Sequence, residues 1–233
     1  MRSQARYDEI AELYDEMVGD DTSDAVSAAL FDLVPDPRGL RLLDLACGQG
    51  RISRELARRG AVIVGADVSA ALLERARALE ERRPLGIAYV HADAMSPDAL
   101  QGEVFKGVVC HFGLSDIPDL GATCATVRRV TEPGAWFVFA ILHPCFAGWG
   151  DNAPSSWPTD ATYYNEGWWL ASNTGLRGKV GATHRTLSTY LNTLVEHDLA
   201  VERLGEPKPG SEWPAARGLP SGPVYLVVRC RRL

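Results

Sequence analysis

The sequence predicts an α/β fold built on a doubly wound, mostly parallel sheet with helices on both faces. Apolar runs of strand length recur along the chain, they alternate with stretches of helical apolar spacing, and several end at a glycine turn or a carboxylate. The organising stretch is Leu42-Leu43-Asp44-Leu45-Ala46-Cys47-Gly48-Gln49-Gly50. Leu42 to Ala46 reads as a buried strand entering a glycine turn, and Arg51 to Arg59 follows as a helix with Ile52, Leu56 and Ala57 on one face. Glycine leaves no side chain between main chain and ligand, and a helix starting past the turn aims free N–H groups at what binds there.

Taken in order, Arg6 to Val18 and Asp24 to Leu33 have helical spacing, and the run Pro35 to Gly39 then breaks the chain. Past the glycine turn and its helix, Gly60 stops the helix and Ala61 to Ala66 forms a second strand ending at Asp67. Ser69 caps a helix from Ala70 to Arg82, and Ile87 to His91 is a short third strand ending at Asp93. Val104 to Phe112 is the fourth strand, Leu120 to Thr131 a helix, Glu132-Pro133-Gly134 a turn, and Ala135 to Leu142 the fifth strand. From Pro144 to Gly181 no period is visible, and a stretch that long is usually a lid or a substrate-binding insertion. A helix from Thr186 to Asp198, a strand from Leu199 to Leu204, a Pro/Gly loop and a closing strand from Val224 to Cys230 complete the chain.

With 233 residues, 46% of them hydrophobic, the chain suits one domain over 1–233, with 1–36 as a helical cap and 144–183 as a substrate-side insertion. The net charge of −6 speaks against a surface built to neutralise phosphates, so a small-molecule partner is expected and nucleic acid is not. The stretch from Met1 to Tyr14 is polar and no later run approaches membrane-spanning length, so no membrane partner is expected and the cytoplasm is the expected location. Five scattered cysteines without a CxxC pair indicate reduced thiols, with neither a metal site nor a disulfide framework. Lysine occurs only at 106, 179 and 208, an arginine bias associated with GC-rich bacterial genomes. A monomer or a homodimer is compatible with all of this.

The glycine turn lacks the third glycine of a dinucleotide fingerprint, because Gly48-x-Gly50 runs into Arg51-Ile52-Ser53, and no phosphate-binding lysine follows. It is accompanied by Asp44 inside the first strand and Asp67 at the tip of the second, where a carboxylate could take both hydroxyls of a ribose. In these features the sequence resembles the class I S-adenosylmethionine-dependent methyltransferases. Leu43 to Gly50 is similar to that family's first motif, with Ala46 where a first glycine is common. The resemblance implies S-adenosyl-L-methionine as cofactor and S-adenosyl-L-homocysteine as product. Asp44, Ala46, Cys47, Gly48 and Gly50 would then cradle the cofactor, Asp67 and Val68 hold its ribose side, and Asp93, Ala94 and Met95 its adenine. Cys110, His111 and Phe112 would approach the methionine part, and Tyr14 would close over its carboxylate. The resemblance also implies a seven-stranded sheet whose last strand is antiparallel and lies beside the fifth. Taken alone, Asp44 could satisfy main-chain N–H groups, Asp67 could cap the next helix and Tyr14 could be ordinary packing.

Methyl transfer from a sulfonium is an in-line displacement that needs the acceptor positioned, water excluded and, for a hydroxyl or protonated amine, a proton removed. Candidate bases are His143 directly after strand five, His184 beside Arg185, and His111 near the cofactor; each could equally be a hydrogen-bonded structural histidine. Phe146, Trp149, Trp157, Tyr163, Tyr164, Trp168 and Trp169 crowd the insertion and would, with Tyr14, line an acceptor pocket or else form the small core of a lid. The strand-four segment is not the Asn/Asp-Pro-Pro-Tyr pattern used on nucleobase and glutamine amides. The expected activity is therefore O- or N-methylation of a small molecule, with bacterial secondary metabolism as one source. A cofactor-dependent cyclase on the same scaffold and a non-catalytic cofactor sensor are the alternatives.

Overall fold

Successive side chains of a strand point to opposite faces of its sheet, so a sheet covered on both faces must be apolar at every position. A computed structural model of the chain describes residues 6–145, 163–170, 176–210 and 222–233, and the central strands of its sheet have largely this character. Its helices begin with α1 (Ala11–Val18) and α2 (Ala25–Leu33), followed by β1 (Arg41–Leu45), α3 (Arg51–Arg58), β2 (Val62–Asp67), α4 (Ala70–Arg82) and β3 (Ala88–His91). β4 (Phe105–His111), the short α5 (Gly113–Asp116), α6 (Leu120–Arg129) and β5 (Thr131–Leu142) come next. After them lie β6 (Gly167–Trp169), α7 (Leu176–Val180), β7 (Ala182–His184), α8 (Leu187–Glu196), β8 (Leu199–Gly205) and β9 (Tyr225–Arg232).

Seven strands form one sheet in the order β3-β2-β1-β4-β5-β9-β8. β1 to β5 pair in parallel, whereas β9 is antiparallel to both β5 and β8. The expected sheet, its antiparallel last strand and that strand's place beside β5 are what the structure has. Leu43, Leu45, Val108, Phe137 and Phe139 face α6 and α8, while Leu42, Ile63, Val109, Trp136 and Val138 face α2 and α3. Phe105, Phe137 and Phe139 are fully buried, and each such side chain contributes about 2–3 kcal/mol of burial free energy.

Some boundaries differ from expectation. The first helix is split into a 3-10 turn over Asp8–Ile10 and α1, with no side-chain cap between them. β5 starts at Thr131 and absorbs the expected Glu132-Pro133-Gly134 turn as an irregularity, because Thr131 pairs with Phe105 and the next partners are Trp136 and Gly107. Phe112 leaves β4 with φ 63 and caps α5 instead of extending the strand. The aperiodic insertion contains the antiparallel pair β6–β7 and α7, elements of three and five residues that are too short to show a period. Among the described residues no helix is long and apolar enough to cross a membrane.

The strand order reverses between β1 and β4, and in open α/β sheets ligands bind outside the carboxyl ends of the strands at such a point. Ala46, Asp67, His111 and Leu142, which end or directly follow β1, β2, β4 and β5, all line one cavity there.

Candidate active site

The cavity holds about 370 Å³ and is bordered by the N-terminal segment and by α7. Its floor is the turn after β1. Gly48 sits at φ +56, and a Cβ there would lie 3.3 Å from the Tyr14 hydroxyl, so the ring of Tyr14 closes directly on bare main chain. Ala46 holds φ 58, a conformation that costs a residue with a Cβ about 1 kcal/mol. Its methyl has room because residue 113 is glycine: a Cβ at Gly113 would come within 2.5 Å of the Ala46 Cβ. The small substitution in the motif is thus accommodated by a second glycine across the sheet.

Asp67 accepts the Gly48 N–H at 2.7 Å through one oxygen and the Ser69 N–H at 2.8 Å through the other. Burial raises its pKa, and these main-chain donors counter that. Asp67 therefore braces the glycine turn and lines the cavity wall. The helix cap that Asp67 could have supplied belongs to Ser69, whose Oγ accepts from Leu72. Val68, Asp93, Ala94 and Met95 continue the wall, with Asp93 Oδ1 taking the Met95 N–H at 2.9 Å. Tyr14 carries a raised pKa from burial and is a neutral hydroxyl.

Four residues expected at the cofactor lie behind this wall. Asp44 is buried under the turn and accepts the Ser53 hydroxyl at 2.5 Å; loss of hydration pushes its pKa up to about 7. The Cys47 and Cys110 side chains are buried thiols whose pKa burial raises, the first against Gly65 and the second against Gly113. Gly50 turns away from the cavity at φ +83 and packs under Tyr89, whose hydroxyl a Cβ would meet at 2.2 Å. They shape the cradle from beneath and do not line it.

The three histidines separate. His111 lines the cavity; Arg51 Nη2 lies 3.5 Å from its Nδ1 and Ser27 Oγ 3.3 Å from its Nε2. Burial, reinforced by the Arg51 charge, pushes its pKa down to about 3, so the ring is neutral and a weak proton acceptor. His143 lies outside the cavity: its Nδ1 accepts the Cys145 N–H at 3.1 Å and its Nε2 faces Glu206 at 3.0 Å. His184 is also outside, with Nε2 2.8 Å from the Tyr163 carbonyl. Its neighbour Arg185 donates to the carbonyls of Leu114 and Pro118 at 2.8 and 3.0 Å, which fixes the loop carrying Ile117 and Pro118 at the cavity. Tyr164 is 82% exposed, Trp168 is 54% exposed and Trp169 is half-buried, and neither these nor Tyr163 lines the cavity. Phe146, Trp149 and Trp157 lie outside the described residues.

The far end of the cavity was missed. The Tyr7 hydroxyl donates to Asp116 Oδ2 at 2.7 Å, and Arg177 from α7 pairs with Asp116 Oδ1. Arg6 donates to the carbonyls of Val180 and Asp116 at 2.8 and 3.1 Å. Ile117, Pro118, Leu142, Leu176 and Tyr225 supply apolar wall around this cluster. Tyr7 precedes Tyr14 by seven residues, a helical spacing in the sequence and the one signal that could have found it; in the structure Tyr7 stands ahead of the 3-10 turn and its ring meets that of Tyr14 edge-on at 5.5 Å. Among the described residues no cluster of three or more His, Cys, Asp or Glu could hold a metal ion.

A cavity at the switch point of a doubly wound sheet, with a glycine turn opposite a strand-end carboxylate, defines a protein that binds a nucleoside-containing ligand. Comparison with known proteins narrows this. A family model described as a methyltransferase domain matches residues 43–139. The crystal structure of an S-adenosylmethionine-dependent methyltransferase from Mesorhizobium loti superposes with a TM-score of 0.74 at 31% identity, covering 90% of this chain and 99% of that one. Ubiquinone biosynthesis O-methyltransferase of Hahella chejuensis is 33% identical over 105 residues, 45% of this chain and 44% of that protein. The 2-phytyl-1,4-naphtoquinone methyltransferase of Thermosynechococcus vestitus is 33% identical over 143 residues, 56% of this chain and 60% of that protein. The chain thus spans about half the length of these curated relatives. It belongs to the class I S-adenosylmethionine-dependent methyltransferases, whose cofactor is S-adenosylmethionine.

Proposed function

We propose that this protein transfers a methyl group from S-adenosylmethionine to an oxygen or nitrogen atom of a small molecule. The observation that carries this reading is the single cavity in which the main chain of Ala46 and Gly48, the carboxylate of Asp67, the Asp93 to Met95 segment and Phe112 meet. Asp67 would hold the ribose hydroxyls, with Val68 beside it, and Asp93, Ala94 and Met95 would take the adenine. Tyr14, lying over Gly48, would cover the methionine part, with His111 and Phe112 on its other side. The cofactor supplies an electrophilic methyl carbon on a sulfonium.

The protein's own contribution is position and exclusion of water. Leu142, Ile117, Pro118, Leu176 and Tyr225 would hold a largely apolar acceptor, while Tyr7, Asp116 and Arg177 give its polar atoms something to bind. One curated relative is named for a naphthoquinone and the other for ubiquinone biosynthesis, which supports a ring-shaped acceptor. Of the three candidate bases His111 alone lines the cavity, where it would act as a neutral hydrogen-bonding group; His143 and His184 anchor the insertion. The five unpaired cysteines suit a reducing, cytoplasmic setting for this activity.

The test is incubation with methyl-labelled S-adenosylmethionine and a panel of small phenols, quinols, amines and carboxylic acids. Label in a product supports the proposal. Cofactor binding by calorimetry with no labelled product across the panel would favour a sensor or a cyclase.

A further inference from the structure

Among the described residues, the acceptor end of the cavity gathers more guanidinium than carboxylate groups and has no proton acceptor to spare. Arg6 and Arg177 bring two guanidinium groups there against the single carboxylate of Asp116. Tyr7 and Tyr14 are held neutral by burial, and His111 is neutral with little affinity for a proton. Asp116 already accepts from Tyr7 and Arg177, so both of its oxygens are engaged.

Arg177 is the group with capacity left. It is mostly buried, at 18% side-chain exposure, and burial opposes its charge while the Asp116 carboxylate holds it protonated. Its Nη1 donates to Asp116 and to the Gly181 carbonyl at 2.9 Å. Among the described residues its Nε and Nη2 have no acceptor, so their N–H groups remain available where the side chain lines the cavity. A half-used guanidinium fork in a site with more guanidinium than carboxylate groups matches an oxyanion.

Resting on the methyltransferase reading, we propose that the acceptor is a ring compound whose reacting oxygen is ionised, and that Arg177 is the residue that selects and positions it. The acidic hydroxyl loses its proton to solvent on entry. Its oxygen lone pair then forms the new O–C bond as the C–S bonding pair returns to sulfur, leaving a neutral ether and a neutral thioether. No protein group needs to remove a proton, which accounts for the absence of a competent base among the described cavity residues. An amine cation would instead face Arg6, Arg177 and the sulfonium together.

The test uses 4-nitrophenol, whose ionised and neutral forms differ in absorption, with the protein saturated with S-adenosylhomocysteine; 4-nitroanisole is the neutral control. The phenolate is expected to bind about tenfold or more tighter than 4-nitroanisole, lowering the apparent pKa of the bound phenol by about one unit. Arg177→Gln should abolish that preference with S-adenosylhomocysteine affinity unchanged, and Asp116→Asn should preserve or strengthen it. An Arg177 that served only to brace Asp116 would make the two variants behave alike, which overturns the proposal. So does an equal affinity for phenol and anisole, or a preference that survives Arg177→Gln. Loss of S-adenosylhomocysteine binding in Arg177→Gln would assign the fork to the cofactor carboxylate and also overturns it. Wild-type protein that fails to bind S-adenosylhomocysteine at all would refute the methyltransferase reading itself.

Discussion

Asp44 holds its proton far into the neutral range, and the stability of the fold should record this. The carboxyl is 1% exposed and accepts a hydrogen bond from Ser53, and lost hydration pushes its pKa from 3.8 to about 7. Between those values the folded state binds a proton that the unfolded state has released, so stability falls as pH rises from about 4 to about 7 and is level above. The gap of about three pH units corresponds to roughly 4 kcal/mol of stability present at acid pH and lost at neutral pH. Asp44→Asn keeps an acceptor for Ser53 and removes the ionisation. Urea unfolding followed by tryptophan fluorescence at pH 5, 6, 7 and 8 should show the variant gaining on the wild type by about 2–3 kcal/mol across that range, almost all of it below pH 7. His111 drives the opposite trend, since its lowered pKa makes stability rise with pH toward 6.5, but it is common to both proteins and cancels in the difference. Parallel pH profiles for the two proteins would refute the reasoning, because an ordinary, hydrated Asp44 gives no differential slope.

Other perturbations probe the cradle. Gly113→Ala should destabilise by about 1–3 kcal/mol in the same unfolding assay through its contact with the Ala46 methyl, and Ala46→Gly in the same chain should recover part of the loss. Gly50→Ala combines φ +83 with a clash against Tyr89 and should lower the melting temperature measurably. His143→Ala should leave turnover within about tenfold on any acceptor found, whereas removing a true general base costs roughly 10²–10⁴-fold.

The sheet could be read from the sequence because its central strands are buried on both faces, and runs such as Ala61 to Ala66 and Ala135 to Leu142 then carry an unbroken apolar signal. One wall of the cavity was partly legible: Gly48, Asp67 and Asp93 follow strand ends, where position in the chain fixes position at the cavity, whereas Asp44, Cys47, Gly50 and Cys110 from the same stretches lie behind it. The acceptor half was not. Arg6, Asp116 and Arg177 come from three segments that are distant in sequence and meet only through tertiary packing, with no periodicity or spacing to link them. His143 drew attention because it directly follows β5, yet its neighbour Leu142 lines the cavity, and consecutive residues of an extended chain point to opposite sides. The β6–β7 hairpin was hidden in a segment whose aromatic content resembles a pocket wall, although Tyr164 and Trp168 are largely exposed.

We propose that the Asp67 carboxylate holds the ribose of the cofactor in the cavity above Gly48. Calorimetric titration of S-adenosylhomocysteine into wild-type protein and into Asp67→Asn tests it most directly, with circular dichroism confirming that the variant is folded. The account predicts binding by the wild type and a loss of about tenfold or more in the variant, the value of a charge-assisted hydrogen bond to a ribose hydroxyl. Equal affinities in the two folded proteins would contradict it.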